Sequence, residues 1–511
     1  MIKKTVLALL AAFCVLTVGG CHSHVHIAGE SVEENRIEPT CTEKGSYEIV
    51  MYCRDDGVEL SREKYDIPPL GHDFVEHPAL YPTYCDEGYG WYMTCTRCDY
   101  SNYSVLPRKQ LVLNPKTYPT TIPTITITVG GAHIPDSSEP GYDDYCDSTL
   151  KYSDGQTSFI DGFGKVRVRE TSSSLFSKKD YTIKFSSDVS IRGYRRSQKY
   201  NLLASYMDPT LLREYLAMQI SRDLNLYEEK YSANIKPVKL YIDSTYKGIY
   251  YLFDYIEASE LKINLAETTE ENKSPFLLEM DLSAHEAGVE GVDYFVLGST
   301  DAFGSETDIE YKLNAPETVN FEQFQFIENY ITRCRQSLID KDLEAFSSLV
   351  DVYMFIDYFL LAELFHNTNV AGYSTYLYLR DFDRKLIFGP ANNYERTCSR
   401  PYQLGPNTDY TLDNAQERFI NYDFWKLFLE IEGADGLISR RYTYYFRPII
   451  EYELNEAELY YDRYKDLIKE NADIWYTEIG DRNSLLSDNY QWIFNYFSLR
   501  KSMFDSLYYH P

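Results

Sequence analysis

The stretch from Tyr358 to Ser399 constrains the fold of this chain more than any other. It reads as an apolar helix, a polar loop, a β-hairpin and a second polar loop directly after Gly389-Pro390. The first loop contains Asn367-Thr368-Asn369, and the second contains Asn392-Asn393-Tyr394-Glu395. This order predicts that two polar loops meet at one end of a hairpin, and both of them carry amides where a reactive site would use carboxylates.

The regions around this stretch differ in their secondary structure. Apolar alternation predicts strands at Ile125–Val129, Lys165–Arg169, Asp180–Phe185, Val238–Ile242 and Gly248–Phe253. Helices are expected from Asp208-Pro209, Phe321–Arg335, Leu349–Phe365 and several segments after Asp423. A β-rich half followed by an α-rich half predicts an α+β, bilobal body with a cleft between its lobes.

The N-terminus has the features of a secretion signal. Lys3 and Lys4 precede an apolar run from Val6 to Val18, and Gly19-Gly20 follow it. The run is too short to anchor the chain by crossing a bilayer. Val18-Gly19-Gly20-Cys21 resembles a bacterial lipoprotein box, although a plain secretory signal remains an alternative. We therefore expect residues 1–21 to be a signal peptide with lipidation at Cys21, and an extracytoplasmic protein held to the cell membrane, or secreted if Cys21 is not lipidated.

Residues 22–110 contain a weak internal duplication with a period of about forty residues. Pro39-Thr40-Cys41 followed by Tyr52-Cys53 is echoed by Pro82-Thr83-Tyr84-Cys85 followed by Thr94-Cys95-Thr96-Arg97-Cys98. The two copies resemble the small cysteine-rich repeats on secreted proteins of Firmicutes. The first copy is degenerate, because Asp56 stands where its second C-x-x-C cysteine would be.

The cysteines of this module allow two kinds of cross-link. With a histidine they can form a tetrahedral zinc site, and in an oxidising compartment they can form disulfides. The sequence leaves both open, and in either case the cross-link holds a module too small to bury its own core. The candidate residues are Cys41, Cys53, His72, Cys85, Cys95 and Cys98, with His77 as another histidine.

A Pro- and Thr-rich segment at residues 111–124 predicts a linker, and residues 125–508 then form the large domain. The chain has 78 acidic and 50 basic residues, for a net charge of −28. Such a charge repels a phosphate backbone, so nucleic acid is excluded as a partner. No G-x-S-x-G, H-E-x-x-H or Walker-type glycine-rich motif points to another chemistry.

Four segments of the large domain carry a family resemblance. They are Lys165–Phe185, Tyr200–Arg213, Val238–Tyr250 and the stretch Glu363–Glu395. In this order they resemble the spore-coat CotH kinase family of secreted atypical protein kinases, over most of residues 120–508. The resemblance implies a protein-kinase-like fold, ATP with Mg²⁺ or Mn²⁺ as cofactors, and secreted or envelope proteins as substrates or ligands.

The chain departs from the family at the positions that carry chemistry. The family's N-x-D motif becomes Asn367-Thr368-Asn369, and its WDfD motif becomes Asn392-Asn393-Tyr394-Glu395. Asn369 cannot accept a proton as a catalytic aspartate would. An amide at Asn393 can ligate a cation but brings no negative charge. Glu170, which replaces a family glycine, adds negative charge where a triphosphate would approach.

Several remaining side chains match the family's nucleotide and metal positions. Each has an alternative as a solvated or structural charge. The candidates for nucleotide binding are Arg169, Lys178, Lys179, Lys184 and Glu279, and those for metal binding are Glu395 and Asp281 with the degenerate Asn393. Glu363 is expected to buttress the first polar loop, and His366 lies beside that loop.

These observations support three hypotheses. The first is a surface-tethered CotH-like protein with a degraded phosphotransfer site, which binds a nucleotide or a protein. The second is an active atypical kinase that uses Glu395 with Glu279 or Asp281 as metal ligands. The third is a structural or adhesive envelope protein, for which a site without Lys and Arg is expected.

Overall fold

The computed structural model describes the chain in two compact units, Met1–Gln110 and Leu111–Pro511. The described residues are 26–78, 91–98, 113, 115–136, 139, 144–169, 176–227, 230–267, 271–300, 304–370, 373–380, 385–398, 420 and 422–509. The signal peptide with Cys21, the repeat cysteine Cys85 and the substituted Glu170 lie outside them. No helix in these ranges combines the length and the apolar character needed to cross a membrane.

The described residues of unit 1 form five strands. They are β1 (Ala28–Ile37), β2 (Gly45–Cys53), β3 (Glu59–Ile67), β4 (Phe74–Pro78) and β5 (Trp91–Cys95). β2 lies between β1 and β3 in an antiparallel sheet, and β4 pairs with β5. The buried apolar residues described in this unit are Cys41, Val50, Cys53 and Cys95. The described part of unit 1 therefore buries little apolar side-chain surface.

Unit 2 begins with a closed seven-stranded barrel. Its strands are β6 (Thr124–Thr128), β7 (Cys146–Ser153), β8 (Ser158–Val168), β9 (Tyr181–Val189), β10 (Ser197–Leu203), β11 (Ile235–Ile242) and β12 (Thr245–Asp254). They follow one another around the barrel in the order β10-β12-β11-β6-β7-β8-β9. Alternate apolar residues fill the interior, among them Ile125, Ile127 and Leu240. The predicted strands and the β11–β12 hairpin are confirmed.

Helix α1 (Arg213–Tyr227) follows β10 and begins later than predicted. The sequence indicated a start at Asp208-Pro209, but residues 208–212 form a turn in which Leu211 has a left-handed backbone, with φ 58°. Asp208 still caps the helix, because its Oδ2 accepts the N–H groups of Leu212 and Arg213, both at 2.7 Å. The Asp208 side chain therefore acts as an N-cap, although it lies farther from the first residue of the helix than the sequence pattern indicated.

The rest of unit 2 is a five-stranded sheet covered by helices. The sheet has the order β14-β15-β13-β16-β17, with β13 (Phe276–Asp281), β14 (Tyr294–Thr300), β15 (Glu306–Ala315), β16 (Tyr373–Leu379) and β17 (Ile387–Phe388). The helices are α2 (Ala284–Ala287), α3 (Phe321–Ile339), α4 (Leu343–Leu349), α5 (Val352–Phe365), α6 (Asp423–Leu429), α7 (Ala434–Arg441), α8 (Arg447–Trp475) and α9 (Arg482–Tyr508), with a π-helical segment at Tyr442–Phe446. The α+β class is as predicted, and the helix expected at Leu349–Phe365 is present as α5, which begins at Val352 after the end of α4.

Helix α5 lies at the centre of this core. All of its side chains except Tyr353 are buried, because it is apolar on every face and is surrounded by packed elements. Its two acids are neutralised by arginines: Asp357 pairs with Arg441 and Glu363 pairs with Arg500.

The segment predicted as a linker packs onto α8. Lys116 Nζ pairs with Glu453, and the Tyr118 hydroxyl donates to Glu456 Oε2 at 2.9 Å. Residues 115–124 are thus held against the body of unit 2.

Candidate functional site

The first polar loop starts where α5 ends. His366 ends the helix in a left-handed conformation, with φ 53°, and burial lowers its pKa to about 4. Asn367 follows and is buried. Its Oδ1 accepts the N–H of Asn369 at 3.1 Å, and its Nδ2 donates to the carbonyl oxygen of Asn393 at 3.3 Å. Asn367 therefore joins the two polar loops, as the sequence predicted that they would meet.

Glu363 is predicted to support this loop from α5. Its Oε1 accepts the N–H of Ile420 at 3.1 Å, and its Oε2 lies 3.1 Å from Nη2 of Arg500. Neither partner belongs to the first polar loop, so the buttress role of Glu363 stays a prediction.

The second polar loop is held by a residue that the sequence reasoning missed. Glu214, in the first turn of α1, is almost fully buried. Its Oε1 accepts the N–H of Asn393 at 3.2 Å, and its Oε2 accepts the N–H of Tyr394 at 2.5 Å. Asn393 itself has a left-handed backbone, with φ 66°. The only sequence signal for Glu214 is its position directly after the family-like segment that ends at Arg213.

The family resemblance of the sequence implies acids at the positions of Asn369 and Asn393. Both are half-buried. The backbone carbonyl of Asn369 accepts the N–H of Tyr373 at 3.0 Å, and the backbone of Asn393 is bonded to Glu214 and Asn367. Within the described ranges, neither side-chain amide makes a hydrogen bond. The packing of the two loops therefore leaves both side-chain amides without a hydrogen bond among the described residues.

Three buried acids, Asp180, Glu214 and Glu395, lie around the second loop. Burial raises the pKa of Glu214 to about 7, and the backbone N–H groups that it accepts oppose this rise. Burial, with repulsion from Asp180 and Glu214, raises the pKa of Glu395 to about 8. Near neutral pH a large part of Glu395 is therefore protonated and carries no charge for a cation.

Lys178 is enclosed next to these acids. It is fully buried, and its Nζ donates to the carbonyl oxygens of Ala204 and Ile249, both at 2.6 Å. The ammonium also lies 4.5 Å from the ring centroid of Tyr250. Burial lowers the pKa of Lys178 to about 7. Its hydrogen bonds are made inside the barrel wall, so the predicted phosphate contact would require their loss.

The other predicted nucleotide-binding cations are spread over the barrel. Lys179 Nζ lies 3.1 Å from Asp136 Oδ2. Lys184 is on β9, in register with Lys165 and Lys199. Arg169 is nearer to the loops, because its charge lowers the pKa of Glu214 and its N–H donates to the Asp180 carbonyl. Of these predicted cations, Arg169 therefore lies at the site, whereas Lys179 forms an ion pair elsewhere.

Glu279 and Asp281 lie on β13 and have partners in the sheet and in the turn that follows β13. Asn314 Nδ2 donates to Glu279 Oε2 at 2.8 Å, and burial raises the pKa of that carboxyl. Asp281 Oδ1 accepts the N–H and the hydroxyl of Ser283, at 3.1 and 2.7 Å. These contacts are those of structural residues.

Among the described residues, no group of acids at the polar loops is close enough together to bind a metal ion. Groups of three or more His, Cys, Asp or Glu with ligand atoms within 4.8 Å of one another occur, in those ranges, at two places in unit 1. One is Cys41, His72, Cys95 and Cys98, and the other is His26, Cys53 and Asp56. Cys53 therefore lies in a different group from the predicted ligands Cys41, His72, Cys95 and Cys98.

Comparison with models of known protein families gives one match. A family model described as CotH kinase protein matches residues 166–504. This range includes the later strands of the barrel, both polar loops and the helices that cover them. A comparison with the curated proteins finds no match.

Proposed function

We propose, given that the chain belongs to the CotH kinase protein family, that it is a kinase-like protein with a degraded phosphotransfer centre. It would act by binding a nucleotide or a protein partner, as a pseudokinase does. In this proposal the barrel and the sheet-and-helix part correspond to the two lobes of a kinase-like body. The succession of a β-rich and an α-rich half within unit 2 supports it.

The observation that carries the proposal is the pair of unengaged amides, Asn369 and Asn393. Phosphoryl transfer depends on a group that orients or deprotonates the acceptor hydroxyl and on charge that holds the metal ions. An amide cannot accept the proton and contributes no charge. The acids nearby do not replace them, since both oxygens of Glu214 accept backbone N–H groups and Glu395 is largely protonated near pH 7.

The family implies ATP with Mg²⁺ or Mn²⁺, and the donor set at the loops fits such an ion poorly. Hard divalent cations prefer several charged oxygen ligands. The loops offer the Asn393 amide and the Glu395 carboxyl, and no three acid or histidine ligand atoms converge there within the described ranges. We therefore assign no phosphotransfer step to these residues.

The test compares the full-length protein with an Asn369→Asp/Asn393→Asp variant. Each is incubated with labelled ATP and Mg²⁺ or Mn²⁺, and transfer to itself and to a general protein substrate is measured. We expect the wild-type rate to lie roughly a hundred- to ten-thousand-fold below that of the variant, since general-base help is of that size. Strong wild-type transfer that Glu395→Gln abolishes would overturn the proposal.

Asn483→Asp is the matched control for this variant. It makes the same chemical change at an exposed position in the first turn of α9. It should leave the transfer rate at the wild-type level. An equal gain in this control would mean that the two loop amides are not the cause of low activity.

An active kinase is the second candidate, and one observation favours it. Glu395 is buried beside Lys178, and no described residue donates a hydrogen bond to its carboxyl. A divalent cation bound there would ionise this group. Stabilisation of the protein by ATP that requires metal and is lost in Glu395→Gln would support activity, and the absence of any shift with nucleotide would count against it.

A scaffold without nucleotide chemistry has less support. That hypothesis expects a site without basic side chains. The charge of Arg169 acts on Glu214, and that of Arg396 acts on Glu395. Basic groups are thus present at the loops.

The location of the protein is also a proposal. The pattern of residues 1–21 supports export and lipidation at Cys21. The family resemblance implies a secreted or envelope protein as the partner. In a bacterial host, Cys21→Ala should move the protein from the membrane fraction to the soluble exported fraction. Unchanged membrane association would contradict the anchor.

A further inference from the structure

Two loops and a hairpin end bring four ligand-type side chains together in unit 1. Cys41 lies between β1 and β2, His72 precedes β4, and Cys95 and Cys98 follow at the end of β5. Their ligand atoms all lie within 4.8 Å of one another. They come from both copies of the sequence duplication, although the two copies are about forty residues apart.

Two of the six distances between ligand atoms in this cluster match those of a tetrahedral site. The Sγ atoms of Cys41 and Cys95 are 3.6 Å apart, and Cys98 Sγ is 3.4 Å from His72 Nδ1. Around a tetrahedral zinc ion two thiolates are separated by about 3.7 Å, and a thiolate and an imidazole nitrogen by about 3.5 Å. Each of the three cysteines is a free cysteine.

Backbone groups around the cluster are arranged for a thiolate. The N–H groups of Asp73 and Arg97 both point to Cys95 Sγ, at 3.4 Å. Amide donors favour the charged form of a sulfur ligand. The loops are also fixed to each other, because Gly71 N–H donates to the Cys41 carbonyl at 3.1 Å and Thr96 N–H donates to the Asp73 carbonyl at 2.8 Å. The ligands are therefore positioned by the backbone.

A second cluster shows the same arrangement one copy earlier. Cys53 ends β2 as Cys95 ends β5, and Asp56 stands three residues on, as Cys98 does. His26 precedes β1 as His72 precedes β4, and its Nδ1 lies 3.2 Å from Asp56 Oδ2. Each cluster thus joins the C-x-x-C or C-x-x-D pair of one copy to the histidine before it. This second cluster has only three ligands among the described residues.

We propose that Cys41, His72, Cys95 and Cys98 bind one zinc ion, which fastens the two copies of the duplication to each other. Three thiolates and one imidazole in a closed tetrahedral set are the ligands of structural zinc. The cluster His26, Cys53 and Asp56 is its degenerate counterpart and does not retain zinc. This site is independent of the proposed function of unit 2.

The test measures zinc in the full-length protein after incubation with zinc and desalting. We expect one zinc per chain, lost in Cys95→Ser and His72→Ala and kept in Cys53→Ser, which removes the same kind of side chain from the degenerate cluster. Zinc that persists in Cys95→Ser, or that Cys53→Ser removes equally, would overturn the proposal. So would a wild-type chain that binds none.

Two further measurements separate zinc from a disulfide and from misfolding. Cobalt titrated into the metal-free protein should give the visible bands of a tetrahedral ion and a thiolate charge-transfer band, which His72→Cys should keep and His72→Ala should weaken. Alkylation after denaturation with a chelator and without a reductant should modify Cys41, Cys95 and Cys98. Protection of Cys41 and Cys95 would indicate a disulfide and contradict the zinc site.

Discussion

In unit 1 the strands β1 and β3 expose nearly every side chain, whereas in unit 2 the helix α5 exposes only part of one. The ion pairs of unit 1, such as that between Arg62 and Glu48, lie at the surface, while Arg500 and Glu363 pair inside the core of unit 2. Apolar burial stabilises a fold in proportion to the area removed from water. A small sheet with little to bury therefore needs cross-links, and a large core can enclose even charged groups.

The largest effect is expected from breaking the buried pair in unit 2. Arg500→Met leaves the Glu363 carboxylate without its charged partner, and the side chains of both residues are almost fully buried. Removing one member of such a pair costs about 3–5 kcal/mol of the free energy of unfolding. Chemical denaturation followed by the fluorescence of buried Trp425 measures this loss. A loss below about 1 kcal/mol would mean that unit 2 does not depend on this pair.

The next effect concerns pH and has opposite signs in the two units. The pKa of Glu395 is raised by burial to about 8, from an ordinary value of 4.5. Between these values the folded protein keeps a proton that the unfolded chain releases, so stability is lost as pH rises. Glu395→Gln removes this loss. Relative to wild type it should gain about 1–3 kcal/mol from pH 5 to pH 8, measured by denaturation at several pH values.

Glu48 of unit 1 provides the control for this pH effect. Hydrogen bonds from Asn35 and Arg62 lower its pKa, so its ionised form stabilises the fold above its ordinary pKa and that contribution is lost as pH falls. In Glu48→Gln, hydrogen exchange of the β1–β2 segment should increase at neutral pH and match the wild type in acid. The same sign in both variants would contradict the contrast between the units.

A smaller effect is expected at the surface of unit 2. Asn320 caps α3 because its Oδ1 accepts the N–H of Gln323, and the Asn320 N–H donates in turn to Gln323 Oε1. Asn320→Ala should cost about 1 kcal/mol, and Asn320→Asp should retain most of the cap. Thermal unfolding of the two variants measures the difference. Equal losses would show that the capping bond is not the source.

The smallest effect is expected in unit 1 at Arg62. Its guanidinium contacts Glu34, Glu48 and Glu59 at the surface. Solvent screens such pairs, and Arg62→Met should leave the stability almost unchanged. Hydrogen exchange of β1 to β3 is the measurement. A loss as large as that of Arg500→Met would remove the distinction between surface and buried pairs.

The sequence predicted the individual strands and helices better than it predicted how the strands pair to close the barrel. Alternation located the strands of the barrel, but the parallel pairing of β6 with β11 joins segments more than a hundred residues apart and has no local signal. The start of α1 was misplaced because Asp208 caps the helix across a turn. The local sequence pattern therefore determines which secondary-structure element forms, and tertiary packing determines its boundaries.

The candidate site was predicted in part for a similar reason. The meeting of the two polar loops follows from the hairpin between them. Glu214 was missed because a single acid in a helix gives no sign that its oxygens will accept backbone N–H groups of a distant loop. The choice among the cysteines stayed open because the ligand set depends on how the two copies approach each other.

The enclosure of α5 has a consequence for biosynthesis. Phe359 stacks on Trp425 and Phe365 contacts Phe497, so the residues that cover this helix are translated long after it. A nascent chain that ends before α9 carries an apolar segment with no place to be buried. Export across a membrane would present the same segment to the translocation machinery uncovered. Truncations within the last helix should therefore yield aggregates and degradation products instead of a smaller folded protein.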